Sequence, residues 1–356
     1  MRAPPTLARA LALARAANAA AAARSQPFMG ASSSRPFSSS TSSTSETIHT
    51  TNSTGGLQAF VTPLDGDLEG VSALTLRRPA ARNALGKQLL RELAQALDTL
   101  RQESTTRCVV VRSSVPGVFC AGADLKERAA MTQRETIEFV CSLRRTLSDL
   151  AALPMPTIAA VDGLALGGGM ELALACDVRV ASAGAAAFSA PEARLGVIPG
   201  AGGTQRLPRV VGASRAKELV FTCRRVGGAE AGMIGLVDHV VADDPIVEGG
   251  EGAGAVEAAG GHKSSSSSSS PRPHHPSHHR GFPAYRRALE LAREIARAAP
   301  LSLRAAKAAV DQGVEVDLSS GLKLEEALYA RLVPTRDRLE GLRAFAERRA
   351  PRFEGE

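Results

Sequence analysis

Apolar positions recur along this chain with two different periods. Leu57–Val61 and Val71–Leu76 alternate or run apolar over five and six residues, which predicts strands. Asp65-Gly66-Asp67 between them carries turn chemistry. From Gly86 to Arg101, Leu89, Leu90, Leu93, Leu97 and Leu100 follow a spacing of three and four, which predicts an amphipathic helix. Cys108–Val111 reads as a buried strand. A helix from Gln133 to Leu150, a strand from Thr157 to Val161, a short helix from Gly168 to Cys176 and a strand from Val178 to Val180 follow. This order predicts an α/β core, layered or spiral, and excludes an all-α or all-β protein.

The pattern stops between Glu248 and Pro283. Glycines and acids there give way to seven consecutive serines, Ser264–Ser270, and then to Pro-Arg-Pro-His-His-Pro-Ser-His-His. Such a composition buries too little apolar surface to offset its ordering entropy, so a disordered loop is expected over 248–283. Five of the seven histidines lie in it. Without a scaffold to fix their geometry they predict adventitious metal binding and no metal site. From Ala284 onward the helical pattern returns, with Pro300, Gly313, Gly321 and Pro334 punctuating three or four helices of a C-terminal region over 284–356.

Composition narrows the class. With 44% hydrophobic and 22% charged residues, the 356-residue chain has the make-up of a soluble globular protein of one large or two ordinary domains. No uncharged apolar run of spanning length occurs outside the alanine-rich start, so a membrane protein is not expected. Five cysteines without CxxC spacing fit a reducing compartment. Of the formal charge of +7, five arginines sit in residues 1–45, which contain no acid. The near-neutral remainder does not advertise nucleic-acid binding. An Arg-, Ala- and Ser-rich, acid-free leader is the composition of a mitochondrial transit peptide, and Arg35-Pro36-Phe37-Ser38 resembles a matrix-protease cleavage site. The expected location is the mitochondrial matrix.

Candidate chemistry is sparse. Only His49 and His239 lie outside the Ser/His-rich loop, so a Ser–His–Asp or Cys–His hydrolase lacks its base. Neither glycine-rich segment, 163–169 or 199–204, matches a nucleotide-binding loop. Glu171 is the only charged side chain from Gly163 to Cys176. It is either a buried functional carboxylate or a first-turn glutamate offsetting its own helix dipole. Glu192, after Pro191, is by itself an ordinary loop glutamate. Gly167-Gly168-Gly169 at a helix start lets bare backbone approach a ligand, or serves close helix packing. Phe119–Asp124 is a second loop of that kind, and two backbone donors converging from separate loops would make an oxyanion hole.

Three segments in this order, Pro116–Lys126, Asp162–Leu172 and Ile198–Arg206, resemble the enoyl-CoA hydratase/isomerase (crotonase) family. The match runs from about Leu57 to the C-terminus, broken by the Ser/His-rich loop. The resemblance implies a spiral of ββα units over 57–247, a C-terminal helical trimerisation region, and assembly as a homotrimer or homohexamer. It implies syn addition of water to an α,β-unsaturated acyl-CoA, with Glu171 and Glu192 as the catalytic pair, Glu192 assigned as proton donor and Glu171 as the residue orienting water. Ala121 and Gly168 are implied as the oxyanion-hole amides. Arg82, Ala84, Ala121, Gly122, Ala123, Asp124, Lys126 and Gly168 would bind the substrate, with Arg82 and Lys126 toward its phosphates. Coenzyme A enters as part of the substrate, and neither a cofactor nor a metal is expected.

One departure from the family lies in Val180–Phe188, read as a hairpin one residue longer than usual, with the extra residue expected at Gly184. Within the family, Ala121–Arg128, Gln312–Asp317, Glu325–Ala330 and Pro334–Gly341 are most similar to the methylglutaconyl-CoA hydratase branch of leucine degradation. A short-chain hydratase of fatty-acid oxidation, or another reaction on the same fold, such as isomerisation or thioester hydrolysis, is the alternative. That branch also raises binding of AU-rich RNA through a basic helix. Here Lys87, Arg91 and Arg101 would be the contacts, diluted by Glu92 and Asp98.

Overall fold

The computed structural model describes residues 56–244 and 281–356. The transit peptide expected at 1–45 and nearly all of the loop expected at 248–283 lie outside them. Each turn of the chain supplies one longer strand, one short strand and a helix. The first strands are β1 (Ala59–Pro63) and β2 (Val71–Leu76), followed by α1 (Lys87–Gln102). Two full turns come next: β3 (Cys108–Ser113), β4 (Gly117–Cys120), α2 (Leu125–Ala129) and α3 (Gln133–Ala151), then β5 (Thr157–Val161), β6 (Gly163–Leu166) and α4 (Gly168–Leu174). The third holds β7 (Val178–Ser182), β8 (Ala187–Ser189), α5 (Gly203–Val211) and α6 (Ala213–Thr222). Strand β9 (Val226–Gly227), α7 (Gly228–Met233) and β10 (His239–Val241) close the spiral.

The longer strands form a six-stranded sheet in the order β1-β2-β3-β5-β7-β10, parallel except for the β1–β2 pair. The short strands form a second sheet, β4-β6-β8-β9, in which β4, β6 and β8 run parallel. This is the ββα spiral that the family resemblance implies. The second sheet is what periodicity missed, because strands of three or four residues carry too little pattern. The hairpin reading of Val180–Phe188 is corrected. Strands β7 and β8 belong to different sheets, and the turn between them is held by Asp243, whose carboxylate accepts from the N–H groups of Gly184 (2.6 Å) and Ala185 (3.0 Å).

Two apolar cores result. The larger packs Leu89, Leu93, Leu97 and Leu100 of α1 against Phe119, Leu147, Leu150 and Phe188. The smaller lies on the other face of the six-stranded sheet, where Val71, Val110, Ile158 and Val180 meet Ala284, Ala288 and Ala292 of α8 (Pro283–Ala296). Alanine at every fourth position gives α8 a narrow stripe that lets it lie close to the sheet. Asp162, in the turn after β5, pins its start by accepting from the N–H groups of Ala284 (2.7 Å) and Tyr285 (3.0 Å). The first helix of the region expected to serve assembly is therefore part of the core. Helices α9 (Pro300–Gly313), α10 (Leu318–Leu332) and α11 (Arg336–Glu347) follow. Gly321 lies within α10 and does not end a helix, contrary to its reading as punctuation. Among the described residues no helix is long and apolar enough to cross a membrane.

Close pairing of β4 and β6 within the small sheet depends on missing side chains. A Cβ on Gly163 would lie 2.1 Å from the carbonyl carbon of Gly117, a clash with backbone that no rotamer relieves. Gly163→Ala is expected to lower stability by about 3 kcal/mol. Gly227→Ala, where nothing lies within 4 Å of the added carbon, should stay within about 0.5 kcal/mol. Urea midpoints of the two variants check this, and equal midpoints would refute the close-approach argument.

Candidate active site

Parallel strands deliver their following loops to one edge of a sheet. The C-terminal ends of β4, β6 and β8 lead directly into residues 121–124, into Gly167-Gly168 and into Ala190–Glu192. Three separated stretches of sequence thus meet at one place.

Glu171 lies in the first turn of α4 and is 3% exposed. Its carboxylate does not serve its own helix. Oε1 accepts from the N–H groups of Ala201 (2.8 Å) and Gly203 (2.7 Å), at the start of α5. The carboxylate is buried, and the helix dipole it meets is that of a different helix, so the reading of it as offsetting its own helix is corrected. Burial raises its pKa, while the two amides and the nearby Arg206 and Arg144 draw it back.

Glu192 sits above the start of α4. A Cβ on Gly167, whose φ is +51°, would fall 2.7 Å from Glu192 Oε1. The Glu171 N–H bonds the Gly167 carbonyl, so both glutamates border this glycine, Glu171 through its backbone and Glu192 through its carboxylate. Glu192 Oε2 is buried and has no hydrogen-bond partner among the described residues. Burial is the main cause that pushes the Glu192 pKa up to about 7, the negative charge of Glu171 adds to it, and Arg128 opposes it. Near neutrality Glu192 therefore keeps its proton for part of the time, beside a carboxylate that two amides hold.

The three glycines divide the work. Gly167 provides the left-handed turn under Glu192, and Gly169 packs so closely that a Cβ would sit 2.1 Å from the Cys120 carbonyl oxygen. Gly168 begins the helix, where its N–H has no intrahelical acceptor. The second amide requires a correction. The Ala121 N–H donates to the Arg82 carbonyl (3.1 Å) and is unavailable to a ligand. Ala123 instead bridges Leu85 in parallel fashion: the Leu85 N–H bonds the Gly122 carbonyl (2.7 Å) and the Asp124 N–H bonds the Leu85 carbonyl (3.2 Å). In such a bridge the central residue's own N–H points away from its partner, and the Ala123 N–H has no acceptor among the described residues. Gly122, between them, approaches both the Leu166 carbonyl and the Gly168 nitrogen, which puts the two open amides side by side.

Other expected residues have mixed fates. Ala84 is buried and its carbonyl holds the Arg78 guanidinium (2.7 Å). The Asp124 carboxylate caps α2 and pairs with Arg78 (2.8 Å), which leaves it no role as a ligand group. Arg82 and Lys126 are exposed. On α1, Lys87 pairs with Glu135, and Arg101 pairs with Asp98 and Asp149, while Arg91 is exposed. Two of the three residues named for RNA are thus matched by acids.

Sequence reasoning missed several residues. Asn83, fully buried, donates to Ser113 Oγ (2.8 Å) and the Phe119 carbonyl (3.0 Å), and so fixes the 78–84 loop. The Ala201 and Gly203 amides were foreshadowed by Pro199–Thr204, small residues at a helix start that suit an anion, here the protein's own. Arg128, whose charge reaches Glu192, carried no motif.

The family model for enoyl-CoA hydratase/isomerase matches residues 66–250 and 284–356. Human mitochondrial methylglutaconyl-CoA hydratase is 46% identical over 293 residues, 82% of this chain and 76% of that protein. Mouse mitochondrial enoyl-CoA hydratase domain-containing protein 2 is also 46% identical, over 307 residues, 86% of this chain and 91% of that one. Among solved structures, an enoyl-CoA hydratase from Bacillus anthracis superposes with a TM-score of 0.70 at 39% identity, covering 84% of this chain and all of that one.

The raised pKa of Glu192 has a consequence for stability. Folding favours its protonated form, so its contribution is fully present below about 4.5 and is lost as pH rises through about 7. Glu192→Gln, which cannot ionise, should melt roughly 2–4 °C above the unsubstituted protein at pH 8, with the gap closing toward pH 5. A gap that does not change with pH in calorimetry would contradict the burial of this carboxyl.

Proposed function

The chain belongs to the enoyl-CoA hydratase/isomerase family and is a hydro-lyase of enoyl-CoA hydratase type; on that premise we propose that it hydrates 3-methylglutaconyl-CoA to 3-hydroxy-3-methylglutaryl-CoA in leucine degradation. The observation that carries a hydration is the unlike pair of glutamates. Glu171, with one oxygen held by two amides, orients a water and accepts its proton as the oxygen bonds to C3. Glu192 delivers its own proton to C2. Water is added across the double bond, and the pair is left with the proton moved from Glu192 to Glu171, to be restored through solvent. Negative charge developing on the thioester oxygen is taken by the Ala123 and Gly168 N–H groups, each worth roughly 3–4 kcal/mol in such a role. Arg82 and Lys126, both exposed, are suited to the phosphates of coenzyme A. The reaction moves only water and protons, and coenzyme A is part of the substrate, so it calls for neither a redox cofactor nor a metal.

Support for the branched substrate comes from the identity to methylglutaconyl-CoA hydratase. An equal identity to enoyl-CoA hydratase domain-containing protein 2 favours keeping a short-chain hydratase as the second reading. Charge pairing along α1 gives the RNA reading no comparable support. The acid-free leader and the mitochondrial relatives support the matrix as the location. Assembly as a homotrimer or homohexamer is supported by apolar side chains that α9 to α11 leave outside the protomer's core, among them Val314, Leu318, Tyr329 and Phe345.

Glu171→Gln and Glu192→Gln should each lower kcat for 3-methylglutaconyl-CoA by roughly 10²- to 10⁴-fold, followed as loss of the conjugated thioester. Preference for crotonyl-CoA would move the protein to fatty-acid oxidation with its mechanism intact. Hydration of neither substrate would sink the reading. Tyr329→Glu combined with Leu318→Glu should shift the sedimenting species toward the monomer; an unchanged oligomer would remove these helices from the interface.

A further inference from the structure

Arg128, the fourth residue of α2, is half-buried, and its Nε is fully buried with no hydrogen-bond partner among the described residues. Its guanidinium lies over the ring of Phe139, 5.2 Å from the centroid. A cation–π contact of that kind returns about 0.5–1 kcal/mol, up to about 2 when desolvated. Packing on Phe139 nevertheless leaves the shielded Nε without an acceptor, so this contact alone does not satisfy the guanidinium.

Its surroundings show what does. Phe139 and Leu143 are four residues apart on α3 and share one face. The Leu143 side chain lies 3.8 Å from where a Cβ on Gly168 would be. Phe139 and Leu143 thus form one continuous wall of α3, with Arg128 against its Phe139 end and Gly168 against its Leu143 end. From the opposite side, its charge acts on Glu192. Other cations near the pair are occupied by backbone carbonyls: Arg144 bonds Gly200 (2.9 Å) and Arg206 bonds Ala201 (3.0 Å). A substrate whose thioester oxygen meets the amides and whose C3 lies at the glutamates would extend the far end of its acyl chain toward Arg128.

A guanidinium presents a planar fork of donors that matches a carboxylate. We propose that Arg128 is the specificity-determining residue of this site, pairing with a carboxylate borne at the distal end of a short enoyl chain. This rests on the hydratase reading above and supplies the basic group that the dicarboxylic substrate calls for.

The test is the ratio of kcat/KM for 3-methylglutaconyl-CoA to that for crotonyl-CoA. Arg128→Gln should lower this ratio by roughly 30-fold or more, with most of the loss in KM for the dicarboxylic substrate. Arg128→Lys, which keeps the charge and not the fork, should fall between the two and guards against a glutamine variant that does not fold. An equal fall for both substrates in both variants, leaving the ratio unchanged, would overturn the assignment while the substrate reading stands. If the unsubstituted protein does not prefer the dicarboxylic substrate, the substrate reading itself fails, before any variant is made, and the assignment with it.

Discussion

The Glu171 carboxylate reaches from α4 to the first amides of α5, and the arrangement of the site follows from that contact. Desolvating a carboxylate costs several kcal/mol. Two charge-assisted bonds from Ala201 and Gly203, at about 1.5–3 kcal/mol each, together with the positive end of α5, offset that cost. Such a contact constrains the chain on both sides. Helix α5 must aim its start at α4, and its first residues must be bare, since a Cβ on Gly203 would fall 2.9 Å from Glu171 Oε1. The segment that enters α5 also carries Glu192, so one tether holds the Glu171 carboxylate and places Glu192.

Convergence of the remaining groups comes from the small sheet. Because β4, β6 and β8 are parallel and adjacent, the Ala123 amide, the Gly168 amide and Glu192 emerge from the same edge in successive turns of the spiral. Small residues bring these turns close: Gly163 against Gly117, and Gly169 against Cys120. The larger sheet, with α8 pinned to it by Asp162, supplies the rigid floor. Precision at a site is greatest where its groups are carried on rigid elements, and here every group lies within a few residues of a strand end or a helix start.

Much of this was readable from sequence where burial imposes a long period. The leucines of α1 and the apolar runs of β2, β3 and β5 stand in the structure within a residue or two of their predicted places. Glu171 and the Gly167–Gly169 backbone stood out as a charge and bare amides in unusual company, whereas Glu192 was singled out only by the family resemblance. The short sheet was not readable, because β4 and β6 have four residues each and β8 has three. The choice between Ala121 and Ala123 also lay beyond spacing. It depends on which peptide N–H turns toward Arg82 and which turns away from Leu85, and Gly122 between them, at φ +89°, breaks the regular alternation of a strand. Gly321 misled because it serves a contact and not a stop: it faces the end of α9, where an added Cβ would lie 3.5 Å from the Gly313 carbonyl oxygen.

Strand register decides whether the stretch between the glutamates delivers Glu192 to its place. A one-residue slip in β8 would turn every side chain on it to the opposite face and carry Glu192 off its place above Gly167. Strand β8 instead keeps its pairing with β6 from Ala187 to Ser189, and the Gly167 N–H bonds the Ser189 carbonyl at 2.8 Å, which ties the strand end to the start of α4. The slack lies upstream, in the exposed turn at Gly184 and Ala185 that Asp243 closes. An extra residue at a turn between two sheets costs little, because neither ladder has to accommodate it. The unlike surroundings of two chemically identical side chains are thus secured by backbone: amides that hold one carboxylate, and a strand register that keeps the other above Gly167.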